Sequence, residues 1–258
     1  LTAAALLLAI LLWQQMPALG MEGSGTDATA PRPAVLVELF TSEGCSSCPA
    51  ADALLRRIDG TKITGGSLIV GISEHVTYWN HLGWSDPYSS ETYTERQNAY
   101  GERFHLDSVY TPQMVINGSE QIVGSNESAL ADALEKESRS PQISLRISST
   151  SVSRNMLTIN FSAHGIEPGH GIEIMAVLAD NVDRSSVLRG ENSGRVLAHV
   201  AVARLMRRVA TLRGDAEKTV QVPLPAGFAA TPGAGHHLVL FAQGEGMARV
   251  LGTDTKPL

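Results

Sequence analysis

The chain carries only two cysteines, and they stand three positions apart, as Cys45-Ser46-Ser47-Cys48. They fall where a strand-like run gives way to a helix-like one. Ala34–Phe40 (AVLVELF) is apolar and β-rich, with a single acid at Glu38. Thr41–Gly44 reads as a turn. Pro49–Ile58 holds good helix formers, with Leu54, Leu55 and Ile58 at helical spacing. Ser46 or Ser47 is placed to cap that helix, and Pro49 suits its first turn. A dithiol at a helix start meets unpaired N–H groups and positive potential, which favour a thiolate. Cys45, ahead of the helix and expected to be exposed, reads as the nucleophile. Cys48 reads as the thiol that resolves the mixed disulfide.

Two cysteines exclude a disulfide-stapled scaffold and a four-cysteine zinc site. The 258 residues are 43% apolar and 18% charged, enough for a packed core. A net charge of −6 argues against a general nucleic-acid binder. The charge is uneven: residues 1–140 carry a net −9 and residues 141–258 a net +3. Nine of the 13 aromatic residues fall between Phe40 and Tyr110. Both shifts place a domain seam near Ser138–Gln142, with domains over 34–140 and 141–258.

Leu1–Trp13 (LTAAALLLAILLW) has the length of a signal-peptide h-region and is short for a membrane span. Ala18-Leu19-Gly20 offers small residues for cleavage. Residues 1–20 read as a signal peptide and 21–33 as a flexible linker. The expectation is a periplasmic or secreted protein with no stable membrane insertion after cleavage. Such a compartment lets a disulfide persist.

Beyond the dithiol, Ser67–Ser73 reads as a buried strand and Ser89–Phe104 as a helix. Val109–Asn117 and Gln121–Gly124 read as a hairpin, and Asn126–Arg139 as a helix capped by Asn126. The order is β-α-β-α-β-β-α. Glu38 is the one acid in the first strand: a buried carboxylate there can take the proton of the resolving thiol, or else it sits at a sheet edge or pairs with a base. The loop after the second strand brings His75, Tyr78, Trp79 and Trp84, enough to line a substrate groove. His75 with the two cysteines is the alternative copper site. No H-E-x-x-H, nucleophile elbow or phosphate loop appears.

Ile143–Ser148, Met156–Ser162, Ile172–Ala179, His237–Ala242 and Arg249–Gly252 read as strands of a mostly antiparallel, sandwich-like β domain. Leu197–Leu212 leans to strand or mixed structure. Val187–Arg195 reads as a polar loop, either solvated or docked on a partner or over the dithiol.

Taken together, VELFTSEGCSSCPAADALL (Val37–Leu55), HVTYWNHLGWSDPY (His75–Tyr88), VYTPQMVING (Val109–Gly118), RGENSGR and the final RVLG resemble a bacterial family of secreted thioredoxin-like proteins of unknown function. The resemblance implies an α/β thioredoxin-like domain followed by the β domain, with Cys45 and Cys48 as a dithiol site. It also implies a cis Thr111–Pro112 bond, with Thr111 beside the dithiol to steer substrate. Cys-Ser-Ser-Cys differs from the Cys-Gly-Pro-Cys of thioredoxin, so the direction of electron flow does not carry over.

The leading expectation is an exported thiol–disulfide oxidoreductase. It exchanges disulfides with protein or small thiol substrates and a redox partner, with no cofactor beyond its own redox-active disulfide. A binding module with a structural disulfide is a second reading. A Cu(I) metallochaperone using Cys45, Cys48 and His75 is a third.

Overall fold

The computed structural model describes residues 33–258, apart from 170 and 230–232. The signal-peptide segment and all but the last residue of the linker lie outside the described residues. None of the described helices is long and apolar enough to cross a membrane.

Strand β1 (Ala34–Thr41) pairs in parallel with β2 (Leu68–His75), from Ala34 opposite Leu68 to Thr41 opposite His75. Every residue of β1 is buried, which explains its nearly continuous apolar run. On its other edge β1 pairs antiparallel with β3 (Gln113–Ile116), which turns back into β4 (Glu120–Val123). Val35, Val37 and Leu39 pack against helices α1 (Cys48–Ile58) and α3 (Glu127–Ser138). Leu36, Glu38 and Phe40 face the other way, toward α2 (Glu91–Arg103). Asn126 caps α3 by accepting from the Ala129 N–H, as its sequence predicts.

The later strands are β5 (Ser144–Ser153), β6 (Met156–His164), β7 (Ile172–Ser186), β8 (Val196–Leu212), β9 (Ala216–Pro223), β10 (His236–Gly244) and β11 (Val250–Pro257). β5, β6 and β9 form a small antiparallel sheet. Its Leu157, Ile159 and Phe161 pack on Ile174, Ala176 and Leu178 of β7 and on Leu238 and Leu240 of β10.

The expected fold class is corrected here. The chain is not an α/β thioredoxin-like domain followed by an antiparallel sandwich. Among the described residues 45% are strand and 18% helix. One eight-stranded mixed sheet runs β11-β10-β7-β8-β2-β1-β3-β4 and draws strands from both halves of the chain. The join is made by β8, a 17-residue strand. It pairs along β7, yet near its start it also meets β2 in parallel, with Ser73 opposite Val202. Two register shifts in the β7–β8 ladder bend the pair and let one strand serve both neighbours.

Glu38 is fully buried on the α2 face. The Arg96 Nε–H donates to its Oε1 at 2.5 Å, and the Tyr100 hydroxyl donates to its Oε2 at 2.7 Å. Arg96 also donates to Gln243 of β10, so the network ties α2 to both β1 and β10 of the large sheet. A second buried acid, Glu74, lies 3.8 Å from the same guanidinium. Burial first, and then the Glu38 charge, push the Glu74 pKa well above the usual carboxylate range.

The consequence for stability has a definite sign. A raised folded pKa contributes stability below the unfolded value of about 4.3, and that stability is lost as pH rises through the folded value. Glu74→Gln, which keeps the neutral form, should therefore gain on the wild type as pH rises from 5 to 8. The gain is bounded by about 1.4 kcal/mol per pH unit. Urea unfolding across that range checks it; parallel curves would contradict it.

Candidate functional site

Cys45 and Cys48 form a disulfide with Cα atoms 5.4 Å apart. Cys48 opens α1, with Pro49 in its first turn. Ser47 is the N-cap residue, but its side chain makes no capping hydrogen bond; its Oγ instead lies 3.4 Å from Cys45 Sγ. The Thr111–Pro112 bond is cis. Trp79 donates from Nε1 to Thr111 Oγ1 at 2.8 Å, and its Cβ would stand 3.0 Å from a Cβ on Gly44. A residue larger than glycine at 44 would push Trp79 away. Trp79 thus links the turn ahead of Cys45 to the Thr111–Pro112 corner.

Cys45 is not exposed: both cysteines show 0% relative exposure. The cover comes from Val187–Arg195, the loop joining β7 to β8. Asn192, itself fully buried, donates from Nδ2 to the carbonyls of Glu43 and Cys45, each at 2.9 Å. Arg195 in turn donates to Asn192 Oδ1 at 2.7 Å. Glu191 accepts from the Ser46 N–H at 3.0 Å. The loop closes on itself through Val187 N–H to Arg195 O and Gly194 N–H to Val187 O. Gly190 and Gly194 make its turns at φ of 75° and 80°, a region that favours glycine. Of the readings of this loop, the one that lays it over the dithiol matches the structure.

Beneath this cover lies a buried ionisable cluster. Glu43 donates its N–H to Asp86 Oδ2 at 2.8 Å and accepts from Trp84 Nε1 at 2.7 Å. His75 Nδ1 lies 2.7 Å from the same Asp86 oxygen. Burial pushes Asp86 up, but His75 and the Glu43 and Tyr88 N–H groups outweigh it and hold the pKa below the usual range. His199 of β8 stands between two acids. Its Nε2 is 3.4 Å from Glu43 Oε1 and its Nδ1 is 3.6 Å from Asp52 Oδ1. The His75 and His199 rings meet edge to face at 4.7 Å. Burial would lower the His199 pKa, but Asp52 and Glu43 prevail and raise it to about 9. Asp52 lies one turn beyond Cys48, at the i+4 spacing that shares a helix face.

The expected site residues sort accordingly. Cys45, Cys48, Trp79, Thr111 and Pro112 belong to one corner. Trp84 and His75 join it through Glu43 and Asp86. Tyr78 bridges this corner and α2: its hydroxyl donates to Gln97 and also meets the Thr111 side chain. Glu38 is on the opposite face of β1 from the α1 side and is engaged by Arg96 and Tyr100, so it is not the acid beside the dithiol. His75 is committed to Asp86. Among the described residues no group of three or more His, Cys, Asp or Glu side chains is placed to hold a metal, so the structure does not bring Cys45, Cys48 and His75 together as a copper trio.

Sequence reasoning missed Glu43, Asp52, Asp86, Asn192 and His199. The i+4 relation of Asp52 to Cys48 was available as a signal. His199 and Asn192 carry none, because they reach the site from 147 to 156 residues away along the chain.

Residues 36–243 match the family model described as "Protein of unknown function (DUF1223)". The chain belongs to this family. No curated protein matches. A crystal structure of a protein from Agrobacterium tumefaciens, a structural-genomics target, is similar at a TM-score of 0.62 and 24% identity. The match covers 88% of this chain and 95% of that one, and it speaks to the fold alone.

The His199 geometry predicts a pH dependence. An imidazole whose folded pKa is raised contributes stability below the unfolded value of about 6.5, and loses it as pH rises toward 9. The groups facing it are Glu43, Asp52 and Asp183 and the rings of His75 and Tyr88. The oxidised protein should therefore lose stability between pH 6.5 and 9.5, and His199→Asn should flatten that loss. Chemical denaturation at stepped pH checks it; an unchanged slope in the variant would refute the charged histidine.

Proposed function

We propose that this protein is an exported thiol–disulfide oxidoreductase, with Cys45 as the attacking thiol and Cys48 as the resolving one. The observation that carries the reading is the placement of the disulfide: it opens α1, close to a buried cluster in which His199 stands between Glu43 and Asp52. Reduction of the disulfide to a Cys48 thiol and a Cys45 thiolate takes up two electrons and one proton. Asp52 and His199 are positioned to manage the proton at Cys48, which leaves Cys45 to act as a thiolate at the helix start. Trp79, Thr111 and Pro112 form the wall against which a partner sulfur is presented. Substrates are protein or small-molecule thiols and disulfides, and a redox partner resets the pair. The apolar leader-like segment supports export.

The full burial of both cysteines favours a second reading, a structural staple. Magnitude argues against it. A disulfide closing four residues restricts the unfolded chain by only about 2 kcal/mol, against roughly 4.7 for a 100-residue loop. A small contribution of that kind gives no reason to place ionisable groups beneath the bridge.

The reduction potential decides. Equilibration in glutathione buffers, with the thiols counted by alkylation, should give a value between roughly −120 and −270 mV. The less negative end assigns an oxidant or isomerase and the more negative end a reductant. A pair that resists reduction below about −300 mV is a staple, and the enzyme reading falls.

A further inference from the structure

A cleft of about 220 Å³ runs along α1 from Pro49, the residue after Cys48, and of its lining the chemistry above uses only Asp52. One wall is α1, with Pro49, Asp52 and Arg56; the other is Arg195 and the start of β8. Pro49 follows Cys48 directly, and Arg195 belongs to the loop that holds Cys45. Two exposed guanidiniums therefore line one cleft of a protein with a net charge of −6. Neither has a carboxylate partner among the described residues. Arg56 donates only to the Ala198 carbonyl, at 2.8 Å, and Arg195 only to Asn192 Oδ1. Each guanidinium has five N–H donors, so most remain free. The acid in the wall, Asp52, is already engaged by the Thr41 hydroxyl at 3.1 Å and faces His199. Glu191 of the covering loop is spent on Ser46.

We propose that the Arg56–Arg195 cleft seats a carboxylate carried by a small disulfide substrate, making this an enzyme for anionic low-molecular-weight disulfides. This rests on the oxidoreductase reading. Arginine forks match carboxylates in bidentate geometry, which gives direction as well as attraction. The volume suits a carboxylate head on a few carbons; neither cysteine lines the cleft, so the sulfur reaches Cys45 only when the covering loop lifts. The exchange balances. The Cys45 thiolate attacks one substrate sulfur, the substrate S–S bond breaks and one carboxylate-bearing thiolate leaves. Cys48, as a thiolate after proton loss, then attacks the Cys45 sulfur and expels the second. The reduced chain and one disulfide become the oxidised chain and two thiols. A dithiol reductant such as dithiothreitol restores the starting state.

The test uses the reduced full chain and three small disulfides: 3,3′-dithiodipropionate (anionic), bis(2-hydroxyethyl) disulfide (neutral) and cystamine (cationic). The rate for wild type divided by that for Arg56→Gln cancels the intrinsic reactivity of each substrate. The ratio should be about tenfold for the dianion, near one for the neutral disulfide and below one for the dication. Arg56→Lys, which keeps the charge without the fork, should recover part of the loss. Wild-type rates with the dianion should fall with added salt while those with the neutral disulfide hold, a readout that needs no variant. Equal ratios for all three, with no selective salt effect, overturn the carboxylate seat while leaving the oxidoreductase standing. No exchange with any of the three removes the oxidoreductase itself, and the seat with it.

Discussion

Two hydrogen bonds from one amide organise the candidate site. Asn192 donates to the carbonyls of Glu43 and Cys45, and so ties the β7–β8 connection to the turn that carries the disulfide. A buried amide has few ways to satisfy its donors, and leaving them unpaired costs about 1–3 kcal/mol. The loop is therefore held down. The approach of the loop to Cys45, and of Arg195 to the cleft along α1, goes with these two hydrogen bonds. It also explains why β8 must be long: its start returns from the covering loop, its early part meets β2 and brings in His199, and its later part completes the ladder with β7.

Two buried charged networks serve different ends. In the Glu38–Arg96–Tyr100 network nearly every donor meets an acceptor, and its members come from β1, α2 and β10. Removing one partner of such a pair leaves an uncompensated charge, typically at a cost of about 3–5 kcal/mol. It reads as architecture. Around His199 the geometry is looser. Its nitrogens stand 3.4 and 3.6 Å from carboxylate oxygens, beyond good hydrogen-bond length. A proton held there is held by charge rather than by fixed geometry, which fits the proton handling proposed for it.

Local features were legible in the sequence and long-range pairing was not. The strand–turn–helix around Cys45 and Cys48 was readable from apolar runs and Pro49, α3 from its stripe and Asn126, and the hairpin from the turn after Ile116. The acid in β1 was visible too, but alternation alone did not say which face of the sheet α1 would cover. Leu39, not Glu38, faces it. The fold class failed for a related reason. Element order along the first half matched a familiar pattern, while the choice of β8 as the neighbour of β2 depends on contacts more than a hundred residues apart. Asn192 looked like one polar residue among several in a Gly-rich loop. Only the folded chain brings it to Cys45.

The central claim is that Cys45–Cys48 is a reactive pair kept covered by the Asn192 contact. The most direct measurement is the rate at which dithiothreitol reduces the disulfide in wild type and in Asn192→Ala, followed by alkylation and intact-mass analysis of the folded protein. Loss of the two hydrogen bonds should speed reduction about tenfold or more. The overall fold, monitored by far-UV dichroism, should be retained. Equal rates in the two proteins would show that the loop does not guard the disulfide and would contradict the account.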